Sequence, residues 1–354
     1  MRTAILGATG LVGRVMLQLL ESRPWADDRP LLLASARSAG TELAFRGGRL
    51  VVRDAATADL AGVRLALFSA GGAASREYGP RFAAAGAWVV DNSSAFRMDR
   101  DVPLVVPEIN RELVPRLDPA APGRGGIIAN PNCSTIQIAV PLAALHAAGG
   151  LRELQVTTLQ AVSGAGRPAV EELARQLPGQ AGRAARLIAG ELADGADPAT
   201  GGVLPRRLAG NVLPQIGAPL PDGSFEEEAK VARELRKILD LPALAVSCTA
   251  TRVPVWNGHS AAVRVVLERP LSLEAARRAL AAAGGVAVDP SPHGYATPAE
   301  ASGDGTIRVG RLRHDPDRAD ALLFWVVADN LLKGAALNAV QIADLLAGAP
   351  APAR

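Results

Sequence analysis

The sequence predicts an α/β protein, with an N-terminal Rossmann-type doubly wound sheet and a second, α+β domain built on a mixed sheet. Three observations predict it. At 354 residues the chain exceeds what one ordinary core supports, so two domains are expected. Its first half alternates short, wholly apolar runs with helical patterns, as parallel strands buried on both faces do. Beyond residue 133 the apolar runs lengthen and gain β-branched residues, the habit of a mixed or antiparallel sheet.

The elements follow in order. "TAIL" (3–6), "LLLAS" (31–35), "RLALFSA" (64–70) and "AWVVDNS" (87–93) read as parallel strands, with helices at 11–22 and 74–86 between them. "VPLVVPEIN" (102–110) reads as a further strand ending in a loop. "LQVTTLQAVSG" (154–164), "LAVSCTATRVPVW" (244–256) and "HSAAVRVVLE" (259–268) are the longer strands, with helices at 168–177 and 226–239. The Ala/Gly-rich segment 178–202 reads as a surface excursion with one helix. "ALLFWVVADN" (321–330) is a strand, "KGAALNAVQIADLLAG" (333–348) a closing helix and "APAPAR" a frayed tail. The expected division is 1–132 completed by 331–354, with 133–330 as the second domain.

Composition excludes several classes. The net charge of +3 is spread without a Lys/Arg run, which argues against nucleic-acid or membrane-surface binding. Only Lys230, Lys237 and Lys333 are lysines, so most positive charge is arginine, suited to bidentate binding of carboxylate and phosphate. Two cysteines, Cys133 and Cys248, make no disulfide framework. "MRTAILGATG" enters a strand at once, without a signal-peptide pattern, and no apolar run reaches membrane-span length. A reducing cytoplasm is expected, with no membrane and no metal.

"GATGLVG" places Gly7, Gly10 and Gly13, with Thr9, Leu11 and Val12 among them, between the first strand and first helix. Glycines there let backbone N–H groups approach a phosphate at a helix N-terminus. The second strand ends in "ASARSAG", with Ser35, Arg37 and Ser38 and no carboxylate. An NAD site usually carries an acidic residue at that point; two hydroxyls and a guanidinium suit a 2′-phosphate, so NADP is expected. "SAGGAAS" ends the next strand, and Ser69 and Gly71 there line the same crevice.

"NPNCST" puts Cys133 at a helix start, with Asn132 as N-cap. The helix dipole is expected to lower its pKa, and nearby N–H groups to hold an oxyanion. Cys248, in an apolar strand, reads as core. Of four histidines, His259 follows an Asn-Gly turn in "RVPVWNGHS", seven residues after Arg252, so both side chains can face one pocket, with His259 as the candidate base. A nicotinamide cofactor, a thiol and a base together suggest thiohemiacetal and thioester chemistry on an aldehyde or acyl phosphate.

The chain resembles the aspartate-β-semialdehyde dehydrogenase family. The motifs are "GATGLVG", "ASARSAG", "DNSSAFRMDRDVPLVVPEIN", "NPNCSTIQ", "LQAVSGAG", "EEEAK", "TRVPVWNGHS" and "DNLLKGAALNAVQIA", in family order from residue 5 to about 345. The resemblance implies NADPH-dependent reductive dephosphorylation of L-aspartyl-4-phosphate, toward lysine, diaminopimelate, threonine and methionine. It implies Cys133 as nucleophile, His259 as acid/base and Gln160 as orienter of the acyl intermediate. Arg252 would clamp the substrate carboxylate, Glu228 its ammonium, and Arg97 and Lys230 the phosphate. Ser163, Gly164, Gly166 and Asn330 would lie near the nicotinamide. The second domain would be catalytic and dimerising, giving a homodimer or dimer of dimers.

Leu159, Ala261 and Pro141 depart from the family pattern, and Pro141 predicts a kink or early end in the helix after Cys133. The competing readings are an N-acetyl-glutamyl-phosphate reductase and a silent homologue acting as an interaction subunit.

Overall fold

A computed structural model describes residues 1–117, 125–191 and 202–349. In the first half, β1 (Thr3–Leu6), α1 (Leu11–Glu21), β2 (Leu31–Ala34), the hairpin β3 (Glu42–Phe45) and β4 (Gly48–Val51), and β5 (Arg53–Asp54) are followed by β6 (Leu65–Phe68), α2 (Gly72–Ala84), β7 (Trp88–Asp91), a short α3 (Pro107–Asn110) and β8 (Gly126–Ala129). Six strands form one sheet in the order β5-β2-β1-β6-β7-β8, every pair parallel. This is the doubly wound order, whose strand order reverses between β1 and β6. Strands β1, β2 and β6 are buried at all four positions, which explains their unbroken apolar spelling.

The expected strand at 102–110 is not one. Leu104 makes an isolated bridge to Ala129, and Pro107, whose fixed φ suits a first helical position, opens α3. The strand that takes the sheet edge is β8, four residues reading GIIA.

The second half comprises α4 (Cys133–Gly149), β9 (Leu151–Gln160), α5 (Arg167–Gln176), α6 (Gln180–Ile188), α7 (Glu226–Ile238), β10 (Ala245–Arg252), β11 (His259–Leu267), α8 (Leu273–Ala281), β12 (Val286–Val288), α9 (Pro298–Ala301), β13 (Ile307–Asp315), β14 (Arg318–Ala328) and α10 (Leu337–Leu346). The second sheet runs β10-β9-β11-β14-β13-β12 and is mixed: β10 and β9 are parallel, β9, β11 and β14 antiparallel. Its core gathers residues of α4, α7 and α8, including Ile138, Leu142, Val231, Leu235, Ala276 and Leu280. Closing helix α10 returns to the first domain, where Val340, Ile342 and Leu346 pack with Ile5, Leu20 and Leu67. The segment 178–202 holds α6, its remainder from 192 to 201 lying outside the described residues, as does the expected frayed tail.

Pro141 does not end α4, which continues through it to Gly149. The helix is buried along most of its length, so tertiary packing outweighs the lost backbone bond. No described helix is long and apolar enough to cross a membrane.

Candidate active site

Strand register assembles the site. In the parallel pair, Arg252 at the end of β10 lies beside Gln160 at the end of β9. The antiparallel β11 starts at the same sheet edge, with Ser260 opposite Leu159 and His259 opposite Ala328. Gln160, Arg252, His259 and, just past β14, Asn330 thus share one end of the sheet. Helix α4 points its N-terminus there, and Gln137 fixes it to β11 by donating to the His259 carbonyl at 3.1 Å.

Asn132 caps α4 as expected, its Oδ1 accepting from Ser134 N at 2.9 Å and Thr135 N at 3.3 Å. Cys133 is the first helical residue and half-buried. Its thiol is not acidic in this site, contrary to the helix-start expectation. Burial, then the Glu227 carboxylate, pushes it up to about 12, against the lowering pull of Arg252, Arg97 and the Ser134 N–H. Desolvation outweighs a single helix end because it acts on the whole charged form.

His259 is fully buried. Burial, and then the Arg252 cation, holds it well below the ordinary imidazole range, so it is neutral. Its Nδ1 accepts from Ala161 N at 3.0 Å, which places the proton of the neutral ring on Nε2. That Nε2 is buried with no hydrogen-bond partner. The same residue serves Arg252, whose Nη1 donates to the Ala161 carbonyl at 2.8 Å. Gly164 covers both side chains: a Cβ there would stand 2.9 Å from His259 Nε2 and 3.0 Å from Arg252 Nη1.

The ammonium-binding role expected of Glu228 does not fit. One of its oxygens accepts from Phe225 N at 2.8 Å and the other from Ala250 N at 3.0 Å; the first is half of a capping box at the start of α7. The carboxylate in the site is its neighbour. Glu227 is buried and its Oε1 accepts from Asn132 Nδ2 at 2.8 Å and Gln160 Nε2 at 3.2 Å. The sequence held the signal: Val231, Leu235 and Ile238 are the buried stripe of α7, and i−4 from Val231 is Glu227.

Arg97 is buried and largely committed. It donates to the Asn130 carbonyl (2.9 Å), Glu234 Oε1 (2.9 Å) and the Asn92 carbonyl (3.0 Å), using three of a guanidinium's five N–H groups. Glu234 Oε2 in turn accepts from Asn132 N at 2.7 Å, so this pair braces the Asn-Pro-Asn turn beneath the thiol. Lys230, one turn past Glu227 on α7, is partly exposed, with Glu226 at 4.0 Å.

The cofactor end lies at the β1/β6 switch point. A cleft of 480 Å³ is lined by Gly7, Thr9, Gly10, Ser35, Arg37, Ser38 and Ser69, with Glu77 and Tyr78 of α2 on its wall. Gly7, at φ +85°, could carry no Cβ without meeting Ser69 O at 2.3 Å, and a Cβ on Gly13 would meet Gly7 O at 2.2 Å. Both glycines let this turn pack directly against the end of β6 and the start of α1, beside the cleft. Leu11 and Val12 open α1, and Gly71 precedes α2 at φ +85°. Ser163 Oγ and Asn330 Nδ2 bond at 3.0 Å, Asn330 Oδ1 accepts from Gly258 N at 2.9 Å, and Gly166 starts α5 at φ +84°. This ties the 163–166 loop to the sheet edge that carries His259. Among the described residues no group of three or more His, Cys, Asp or Glu is arranged to hold a metal.

Residues 2–116 match the family described as "Semialdehyde dehydrogenase, NAD binding domain", and 142–333 the "Semialdehyde dehydrogenase, dimerisation domain". Aspartate-semialdehyde dehydrogenase of Bacillus subtilis is 43% identical, over 98% of this chain and 97% of that protein; that of Streptomyces akiyoshiensis is 46% identical over 98% of each. The crystal structure of aspartate semialdehyde dehydrogenase II from Vibrio cholerae complexed with ASA superposes at a TM-score of 0.85, with 39% identity over 98% of this chain and 97% of that one. The chain belongs to the aspartate-semialdehyde dehydrogenase family.

Proposed function

We propose that this protein catalyses the NADPH-dependent reductive dephosphorylation of L-aspartyl-4-phosphate to L-aspartate 4-semialdehyde, a step toward lysine, diaminopimelate, threonine and methionine. The observation that carries the reading is the convergence of Cys133, Gln160, Arg252 and His259 at one sheet edge, in a chain of this family. The Cys133 thiol gives up its proton as it attacks the acyl carbonyl, the departing phosphate takes up that proton as the C–O bond breaks, and a thioester remains on the sulfur. The glycine loop would hold NADPH, with Ser35, Arg37 and Ser38 at its 2′-phosphate, and the bound cofactor would supply a hydride to take the thioester to a thiohemiacetal. The hydroxyl proton passes back to His259 as the C–S bond breaks, giving the aldehyde and a thiolate that solvent reprotonates. His259 meets the developing oxyanion with the proton on Nε2, so in this direction it begins as the acid; in the reverse direction it takes the proton back.

Arg252 offers a fork to the substrate α-carboxylate. Glu227, rather than Glu228, receives the ammonium, beside Gln160, which orients the acyl group. Lys230 and the two uncommitted N–H groups of Arg97 draw the phosphate. The protein works as a homodimer through its dimerisation domain, or as a dimer of dimers, in the cytoplasm.

The test is phosphate-dependent reduction of NADP by aspartate semialdehyde, run beside N-acetyl-glutamate semialdehyde and beside NAD. Activity confined to the acetylated substrate would overturn the substrate. An equal rate with NAD would overturn the role of Ser35, Arg37 and Ser38.

A further inference from the structure

Among the described residues, Lys333 is a buried cation with no part in that chemistry. Lys333 is 1% exposed, yet its Nζ donates to both Glu108 oxygens at 2.8 Å, to Gln341 Oε1 at 2.7 Å and to Asn338 Oδ1 at 3.0 Å. It sits in a five-residue π-turn, Leu332–Ala336, between β14 and α10. There Gly334 N bonds to Asp329 O and Ala336 N to Leu331 O, each at 3.0 Å, a five-residue spacing that adds a residue to the ordinary helical turn. Such insertions are rare and cluster at functional sites.

The turn touches the nucleophile. A Cβ on Gly334 would stand 3.1 Å from Cys133 Cβ, 3.2 Å from its carbonyl oxygen and 3.4 Å from its Cα, so the bare glycine already lies against the cysteine. The Lys333 cluster reaches the same place by a second route. Asn338 Nδ2 donates to Asn130 Oδ1 at 2.7 Å and to the Val105 carbonyl at 3.0 Å; Asn130 Nδ2 donates to Asn92 Oδ1 at 2.7 Å and to the Ala335 carbonyl at 3.3 Å. Asn130 begins the turn that ends at Cys133. Glu227 and Glu234 hold that turn from α7 through Asn132. The π-turn holds it from the opposite end of the chain.

We propose that the turn Leu332–Ala336 is a positioning device for Cys133: Gly334 is the wall against which the nucleophile rests, and Lys333, locked to Glu108, Asn338 and Gln341, fixes that wall. Lys333, Glu108 and Gly334 are positioning residues, since each acts through Cys133. The inference rests on Cys133 being the nucleophile. A reacting sulfur must be placed to within a fraction of an ångström, and a misplacement of about 1 Å can cost on the order of 100-fold in rate. A Cβ at 334 forces a shift of a few tenths of an ångström in the turn or the cysteine.

The experiment compares Gly334→Ala, Lys333→Met and the double variant Glu108→Gln/Lys333→Met with wild type and Cys133→Ala. It measures kcat, KM for both substrates, thermal midpoint and the rate at which iodoacetamide alkylates Cys133. The device predicts that Gly334→Ala lowers kcat about tenfold, leaves both KM values within about threefold, keeps the thermal midpoint near wild type and changes the alkylation rate of Cys133. Lys333→Met loses both stability and kcat. The double variant, with no uncompensated charge left inside, regains stability but not kcat. A merely structural ion pair would instead return kcat together with stability, and that result overturns the proposal, as do folded variants that turn over within twofold of wild type while Cys133→Ala is inactive. If Lys333→Met does not fold, Gly334→Ala and the double variant decide. An active Cys133→Ala enzyme would sink the nucleophile reading, and this device with it.

Discussion

Cys133 and Cys248 are both free and half-buried, and burial is the first cause that pushes each thiol up to about 12. They differ in what else faces the sulfur. Around Cys248 the remaining influences are Glu228 and Glu227, both of which raise it further. Around Cys133 a single carboxylate, Glu227, is opposed by two guanidinium groups and a helix N–H. Cys248 sits in the body of β10, paired with Val156; Cys133 begins a helix aimed at a sheet edge that carries Gln160, Arg252 and His259. A thiol becomes a nucleophile here by its company, and its resting acidity does not distinguish it from a cysteine of the core.

The largest way to break that contrast is to remove each sulfur. Cys133→Ala should lose turnover by on the order of 10⁴-fold or more, and Cys248→Ala should stay within about twofold, measured as phosphate-dependent NADP reduction. Next comes His259→Asn, expected to lower kcat by about 10²–10⁴-fold, the usual weight of general acid–base catalysis. The adjacent glutamates should then separate. Glu227→Gln should raise KM for aspartate semialdehyde by about tenfold, the loss of one charged contact. Glu228→Gln should leave KM unchanged and cost about 1 kcal/mol of stability, as a weakened helix cap does; a KM effect at Glu228 alone would reverse the assignment made from the α7 contacts. The smallest effect is on the thiols themselves. Glu227→Gln should speed alkylation of Cys133 at a given alkaline pH, since removing the carboxylate lowers the thiol pKa. Arg252→Gln should slow it. In the unliganded wild type, alkylation of Cys133 should rise with every step of pH through the mildly alkaline range and show no plateau.

The parts of the fold written in consecutive residues were legible in the sequence. The wholly apolar four-residue runs marked β1, β2 and β6, and the glycine spacing marked the turn at Gly7. The β-branched runs marked β9, β10 and β11, whose register brings Gln160, Arg252 and His259 together. The strand expected at 102–110 failed because apolar spelling cannot separate a strand from a segment that makes one bridge and turns into a helix at Pro107. The early end that Pro141 allowed did not occur, because a helix buried along its length tolerates the missing bond. Glu227 was readable but missed: three consecutive glutamates look alike until the stripe of Val231, Leu235 and Ile238 sets the helical phase. The elevated thiol pKa was not readable, since it depends on desolvation by residues far apart in the chain. Nor was the contact of Gly334 with Cys133, or the ion pair of Lys333 with Glu108, 225 residues away.

The central claim is that chemistry passes covalently through Cys133 and leaves Cys248 untouched. Mixing the protein with aspartate semialdehyde and NADP while withholding phosphate should strand the acyl group on the sulfur. Peptide mapping by mass spectrometry should then find a hydroxylamine-labile adduct on the peptide that carries Cys133, absent from the peptide that carries Cys248 and lost when phosphate is added. An adduct on Cys248, or NADP reduction at the full rate with no adduct on Cys133, would contradict the account.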